Sequence, residues 1–242
     1  MDKLKNKQAI TKFNIQELFS PVKSFIMRII IFNHWVLAGL LAIYLSACSG
    51  NRTEPSYTAA RVDSLHKAFA QYIEEKNKQF KTADWSPLKQ EDKGHFKGLH
   101  YYPYDESFRF RGAIKRYDRP DSITVLGTRE GDLRPALRFG YFEFQIDDKT
   151  QRLEIIKILP RHPGGSAHLF LGFWDATSGV DTYAGGRYVD IEENDQDSYV
   201  IDFNYAYNPY CAYNERYSCA IPPLENRLEI ALTCGEKNFK DH

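Results

Sequence analysis

Phe142-Glu143-Phe144-Gln145-Ile146-Asp147-Asp148 decides the fold class: three large apolar residues alternate with two polar ones and then meet a pair of aspartates. An extended chain sends successive side chains to opposite faces, so this period of two buries Phe142, Phe144 and Ile146 and leaves Glu143 and Gln145 in water. The aspartates signal a turn, because a short carboxylate can bond backbone two residues on. A second apolar run follows at 153–159. Upstream, Phe108, Phe110 and Ile114 alternate with Arg109 and Arg111, and Ile123 and Val125 repeat the pattern. Downstream candidates occupy 168–174, 187–192, 199–206 and 227–233, separated by turn signals such as Pro163-Gly164-Gly165 and Gly185-Gly186. About eight short strands with no helix between them predict a mainly β protein, a single antiparallel barrel or sandwich.

The period changes before the strands. Over 57–80, Val62, Leu65, Phe69, Tyr72, Ile73 and Phe80 recur at spacings of three and four, with Lys67, Glu74, Glu75, Lys76 and Lys78 mostly opposite. This predicts one N-terminal amphipathic helix packed on the β domain. No internal repeat or low-complexity segment interrupts the domain, expected over 57–242.

The first fifty residues read as an address. A continuous apolar stretch over 29–45 ends in Leu45-Ser46-Ala47-Cys48, a bulky residue and two small ones before a cysteine. That order resembles a bacterial lipobox, in which the cysteine is acylated and becomes the first residue after cleavage. A membrane-spanning helix would need roughly twenty apolar residues, and Asn33, His34 and Gly39 break this stretch. The expectation is an export signal over 1–47, with Met27 as the natural start, and a lipidated tether over 48–56. The whole chain balances 32 Lys+Arg against 32 Asp+Glu; residues 1–47 hold six of the former and two of the latter, so cleavage leaves a net charge of −4. Such a body is not drawn to an anionic leaflet by charge, and attachment rests on the lipid carried by Cys48. Ser49, in place of Asp, points to the periplasm-facing side of an outer membrane. The charge balance also gives no footprint for nucleic acid.

Three cysteines then remain. Cys211 and Cys219 flank the loop 212–218 and are expected to pair as a disulfide in an oxidising compartment, leaving Cys234 free and buried. Metal ligation by Cys211 and Cys219 would need two more ligands, and the neighbouring sequence offers no histidine. His162 and His168 read as ordinary loop histidines, and no cofactor is expected. No Gly-x-Ser-x-Gly elbow, phosphate-cradling glycine loop or His-Glu-x-x-His is present.

Polar residues concentrate in three stretches. In 173–190, Asp175 follows an apolar strand, and Thr182, Tyr183, Arg187, Tyr188 and Asp190 surround two glycines that let a ligand approach backbone. In 199–211, Asp202 and Asn204 share one face of a strand, with Tyr207 beyond. In 222–237, Glu225, Asn226 and Glu236 read as turn or strand-end residues. A ligand site is expected from Asp175, Tyr183, Arg187, Asp190, Asp202, Asn204 and Tyr207, the rings stacking and the Asp/Asn groups bonding hydroxyls. If catalysis occurs there, Asp175 or Asp202 would serve as base and Arg187 or Asn204 would stabilise negative charge.

These stretches resemble the uncharacterised domain-of-unknown-function family 1684. The likeness lies in Ser86-Pro87-Leu88, Phe96-Lys97-Gly98-Leu99-His100-Tyr101-Tyr102-Pro103, the 173–190 segment, Asp202-Phe203-Asn204-Tyr205-Ala206-Tyr207-Asn208-Pro209-Tyr210-Cys211-Ala212-Tyr213, Cys219, Pro222-Pro223, Glu225-Asn226 and Gly235-Glu236-Lys237. It covers about Arg61 to Lys237 and departs at Ala220 and Cys234. The resemblance implies a domain span and a shared polar pattern, and it leaves the chemistry and a non-structural role for Cys211 and Cys219 open. The resulting expectation is an envelope lipoprotein binding a small polar ligand, a sugar or envelope fragment, with a hydrolase or a purely structural envelope protein as the alternatives.

Overall fold

Seven strands pair antiparallel in one sheet: β1 (Arg109–Arg116), β2 (Ser122–Leu126), β3 (Leu133–Ile146), β4 (Lys149–Ile158), β5 (His168–Phe173), β6 (Arg187–Val189) and β7 (Ser198–Asp202). Their order is β6-β5-β4-β3-β1-β7, with β2 also beside β3. The computed structural model describes residues 58–196 and 198–240; the expected export signal, Cys48 and the tether lie outside the described residues. Among the described residues, no helix is long and apolar enough to cross a membrane.

The deciding stretch forms the hub. β3 and β4 make a hairpin whose turn is Asp147-Asp148, both at positive φ, 49° and 59°. Two successive left-handed residues match the right-handed twist of the flanking strands. β3 is long enough to hold two partners on the same side, β2 along Leu133–Leu137 and β1 along Gly140–Phe142. The register with β4 shifts between Arg138 and Gly140, and this bulge bends the strand where the partner changes. Gly140 is required there, since a Cβ would stand 2.5 Å from the Lys115 carbonyl oxygen.

The sheet curls into a half-barrel, and the segment beyond β7 reaches across to its β6 edge. Tyr188 on β6 and Tyr207, beyond β7, exchange backbone hydrogen bonds of 2.9 Å in both directions. Inside lie Phe142, Phe144, Leu153, Ile155, Leu171, Phe173, Ile201 and Phe203, with ring centroids 5.2–5.3 Å apart around Phe203. Each such side chain contributes about 1.5–3 kcal/mol on burial.

Two expected strand segments take other forms. The 199–206 stretch leaves the sheet after Asp202, because the Asp202 carboxylate accepts from the Asn204 backbone and side-chain N–H groups at 3.1 and 2.8 Å and caps a 3-10 turn, Phe203–Tyr205. The 227–233 stretch forms no strand despite its alternating Leu228, Ile230 and Leu232. Its backbone serves Trp174 and Ala176 instead, and the Leu232 carbonyl accepts from Arg187. Among the described residues the sheet therefore has seven strands.

The helix α1 (Ala59–Thr82) runs where the period of three and four places it. The Thr58 hydroxyl accepts from the Arg61 N–H at 3.3 Å, and the Ala83 N–H closes the last turn on Gln79. Phe69 packs edge-on against Tyr101 and Tyr205, and Phe80 joins Leu88, Leu99 and Tyr213 in a second core.

Candidate ligand-binding cleft

Between the inner face of α1, strands β5 and β6, and the segment following Tyr207 lies a cleft of about 650 Å³. Its walls are aromatic: Tyr72, Phe80 and Trp85 on the helical side, Phe170, Tyr188, Tyr207, Tyr210 and Tyr217 on the other. Tyr188 stands edge-on to Phe170 at 4.9 Å and its hydroxyl donates to the Ala220 carbonyl, which fixes the ring plane. Trp85 is 50% exposed. A large ring half in water beside an apolar recess is a ready stacking surface.

The helix supplies one unusual residue. Lys76 lies four residues from both Tyr72 and Phe80, on the buried stripe, and its ammonium sits 5.0–5.7 Å from the ring centres of Tyr72, Phe80, Tyr101 and Tyr207. Its Nζ donates to the Tyr101 hydroxyl at 2.9 Å and to Glu236 Oε2 at 3.2 Å. Glu236 is fully buried and also accepts from Tyr213 and from the backbone and side-chain amides of Asn208 at 3.2 Å. A charge removed from water needs this degree of pairing. Gly235 permits the geometry: at φ 75°, a Cβ there would stand 2.8 Å from the carbonyls of Phe203 and Ala206.

Two buried polar atoms on cleft residues have no hydrogen-bond partner, Arg134 Nε and Asn208 Oδ1. The Asn208 amide orientation is settled by its nitrogen, which donates to Glu236 and to the Lys237 carbonyl, so the free atom is the acceptor oxygen. Arg134 spends its Nη2 on Asp132 and the Ser218 carbonyl, at 2.8 and 2.7 Å. Bonds from Arg134 and Ser218 hold the Asp132 carboxyl down at about 2, so that this partner stays ionised. An unmet donor and an unmet acceptor buried in the cleft wall each carry a desolvation cost.

Of the seven residues expected to form the site, Asp190 and Tyr207 line this cleft, joined by a 2.7 Å bond from the tyrosine hydroxyl. The other five lie in three separate places. Asp175 and Arg187 form a fully buried ion pair of 2.6 Å that ties β6 to the 232–236 backbone. Asp202 and Asn204 bond to each other and fasten Tyr104 and the Asp105 backbone; burial pushes the Asp202 carboxyl above its ordinary range against donors from Asn204 and Tyr104. The Tyr183 hydroxyl donates to Cys211 at 3.7 Å. Cys211 and Cys219 are adjacent free thiols, and Cys234 is fully buried. Among the described residues, no group of three or more His, Cys, Asp or Glu could hold a metal ion.

Lys76, Asn208, Arg134 and Trp85 were not in the expected site. The signal for Lys76 was its i±4 spacing to two aromatic residues. Nothing local marks Arg134, whose role depends on Ser218, 84 residues away.

A family model described as "Protein of unknown function (DUF1684)" matches residues 94–237. The solution NMR structure of the uncharacterized protein from gene locus rrnAC0354 of Haloarcula marismortui is similar over 76% of this chain and 100% of its own, with 29% sequence identity and a TM-score of 0.57. No curated protein matches.

Proposed function

The chain belongs to the DUF1684 family of proteins of unknown function, and from that premise we propose that its β domain binds a small uncharged polar ligand, a sugar or an envelope fragment, in the aromatic cleft. The observation that carries this reading is the pairing of stacking walls with one unmet donor, Arg134 Nε, and one unmet acceptor, Asn208 Oδ1. Rings cover the flat apolar faces of a sugar, and the two polar atoms, buried in the wall behind them, become partners for groups on its edge when the side chains shift on binding. The charges disfavour an anionic ligand: Lys76 is matched by Glu236 and Arg134 by Asp132, while Asp190, bonded to the neutral Tyr207 hydroxyl, and Glu75 keep acidic charge on the lining. In this reading Asp190 and Tyr207 are retained as ligand contacts, and Asp175, Tyr183, Arg187, Asp202 and Asn204 act as fasteners around the cleft. A hydrolase built on Asp175, Asp202, Arg187 and Asn204 gains no comparable observation, because these groups are bonded to one another or to backbone.

Trp85 reports on binding. Titration of the protein with neutral N-acetylated amino-sugar oligosaccharides is expected to shift its emission saturably, and Trp85→Phe to abolish the shift. Asn208→Ala is expected to weaken binding about tenfold, the equivalent of ~1.4 kcal/mol for one buried hydrogen bond. Unchanged affinity in that variant, or no saturable change with any of these ligands, contradicts the reading.

The same proposal places the domain at the cell envelope, periplasm-facing, through lipid on Cys48. Cells expressing the chain and fed labelled palmitate are expected to label it, and Cys48→Ala to remove the label. Labelling that survives the substitution would refute the anchor.

A further inference from the structure

Cys211 and Cys219 stand side by side: the Cys211 backbone N–H donates to the Cys219 sulfur at 3.1 Å. Backbone on both sides imposes this approach. Cys211 lies in the 3-10 turn Tyr210–Ala212, which the Tyr213 N–H closes on the Tyr210 carbonyl. Cys219 is held by Thr128, whose N–H donates to the Cys219 carbonyl at 2.9 Å and whose hydroxyl accepts from the Cys219 N–H at 3.1 Å.

The two sulfurs differ in environment. Cys211 receives hydrogen bonds from Cys219 and from the Tyr183 hydroxyl, and these outweigh its burial and draw its thiol down to about 7. The same contact and burial push Cys219 up. Cys211, the more exposed of the two and the one that accepts from the Tyr183 hydroxyl, is therefore the better placed to act as thiolate. Cys211 is half-buried, and Cys219 lines the cleft, which gives a small molecule a route to the pair. Cys234, fully buried with its thiol pushed up by that burial, stands apart.

We propose that Cys211 and Cys219 form a reversible dithiol–disulfide pair that exchanges with low-molecular-weight disulfides, Cys211 attacking and Cys219 resolving. The Cys211 thiolate attacks one sulfur of the external disulfide, breaking its S–S bond and releasing one thiolate. Cys219 then loses its proton to that leaving group and attacks the Cys211 sulfur, releasing the second half as a thiolate that takes a proton from solvent. Two protein thiols are oxidised and one external disulfide is reduced to two thiols. The disulfide expected from sequence becomes one of two states of the pair. This activity does not depend on what the cleft binds.

The test uses the reduced full chain with excess oxidised glutathione at pH 7, alkylation and peptide mapping, which separates Cys48 from the others. The expected product is a Cys211–Cys219 bond that dithiothreitol reverses without unfolding, with Cys234 untouched. In Cys219→Ser, glutathione is expected to remain trapped on Cys211. The rate is expected to rise only about twofold from pH 7 to pH 9, against roughly twenty-five-fold for a thiol of pKa ~8.5. In the wild-type chain, a persistent glutathione adduct without ring closure, or a bond that resists reduction until the protein unfolds, overturns the proposal.

Discussion

Arg187→Met is expected to lower folding stability by about 3–5 kcal/mol, the usual cost of removing one member of a buried ion pair. The side chains of Arg187 and Asp175 are both fully buried. The guanidinium donates to Asp175 at 2.6 Å, to the Leu232 carbonyl at 3.0 Å and to the Cys234 carbonyl. Asp175 in turn accepts from the Thr177 backbone N–H at 2.8 Å and from its hydroxyl. Methionine fills much of the volume but leaves Asp175 Oδ2 and the carbonyls of Leu232, Cys234 and Glu236 without this donor, so the penalty exceeds that of lost packing alone. Urea unfolding at pH 7 measures it. Adding Asp175→Asn should recover part of the loss, since the stranded charge is then gone; a single-variant loss below about 1 kcal/mol would mean that the pair does not fasten 227–236 to β6.

Glu236→Leu is expected to cost a similar amount, about 3–5 kcal/mol, with a different local signature. The Glu236 carboxylate gathers Lys76 and Tyr101 from one side and Asn208 and Tyr213 from the other. Its removal strands the Lys76 ammonium, whose side chain is only 14% exposed, among aromatic rings. The helix α1 should therefore lose hydrogen-exchange protection before the sheet does. Lys76→Met in the same background should restore much of the stability. If α1 and the strands lose protection together and the second substitution restores nothing, Glu236 does not join the helix to the half-barrel.

Strand content was legible because alternation has one strong physical cause, a sheet with one buried face, and the turn at Asp147-Asp148 carried its own signal. The 227–233 stretch shows where that logic stops. Leu228, Ile230 and Leu232 alternate as a strand would, with Leu228 and Leu232 buried, but the carbonyls that a ladder would use are taken by Arg187 and by the backbone at 174–176. Such partners are distant in sequence. The site was less legible for a related reason. Dense Asp, Asn and Arg mark buried fasteners as readily as ligand contacts, and Asp175, Arg187, Asp202 and Asn204 are fasteners. The cleft proposed as the site instead draws on Lys76, from a helix face that charge alone assigns to solvent, and on atoms of Arg134 and Asn208 distinguished only by lacking partners.

That distinction supplies the most direct measurement of the central claim. Side-chain ¹⁵N NMR resolves the Nε–H groups of Arg134 and Arg187 and the amide of Asn208; both Nε atoms are buried and unpartnered, but only Arg134 lines the cleft. During titration with neutral N-acetylated amino-sugar oligosaccharides, the signals of Arg134 and Asn208 should move along one saturation curve while Arg187 stays fixed. Movement of Arg187 alone, or no movement of Arg134 and Asn208 at millimolar ligand, would contradict the assignment of this cleft as the binding site.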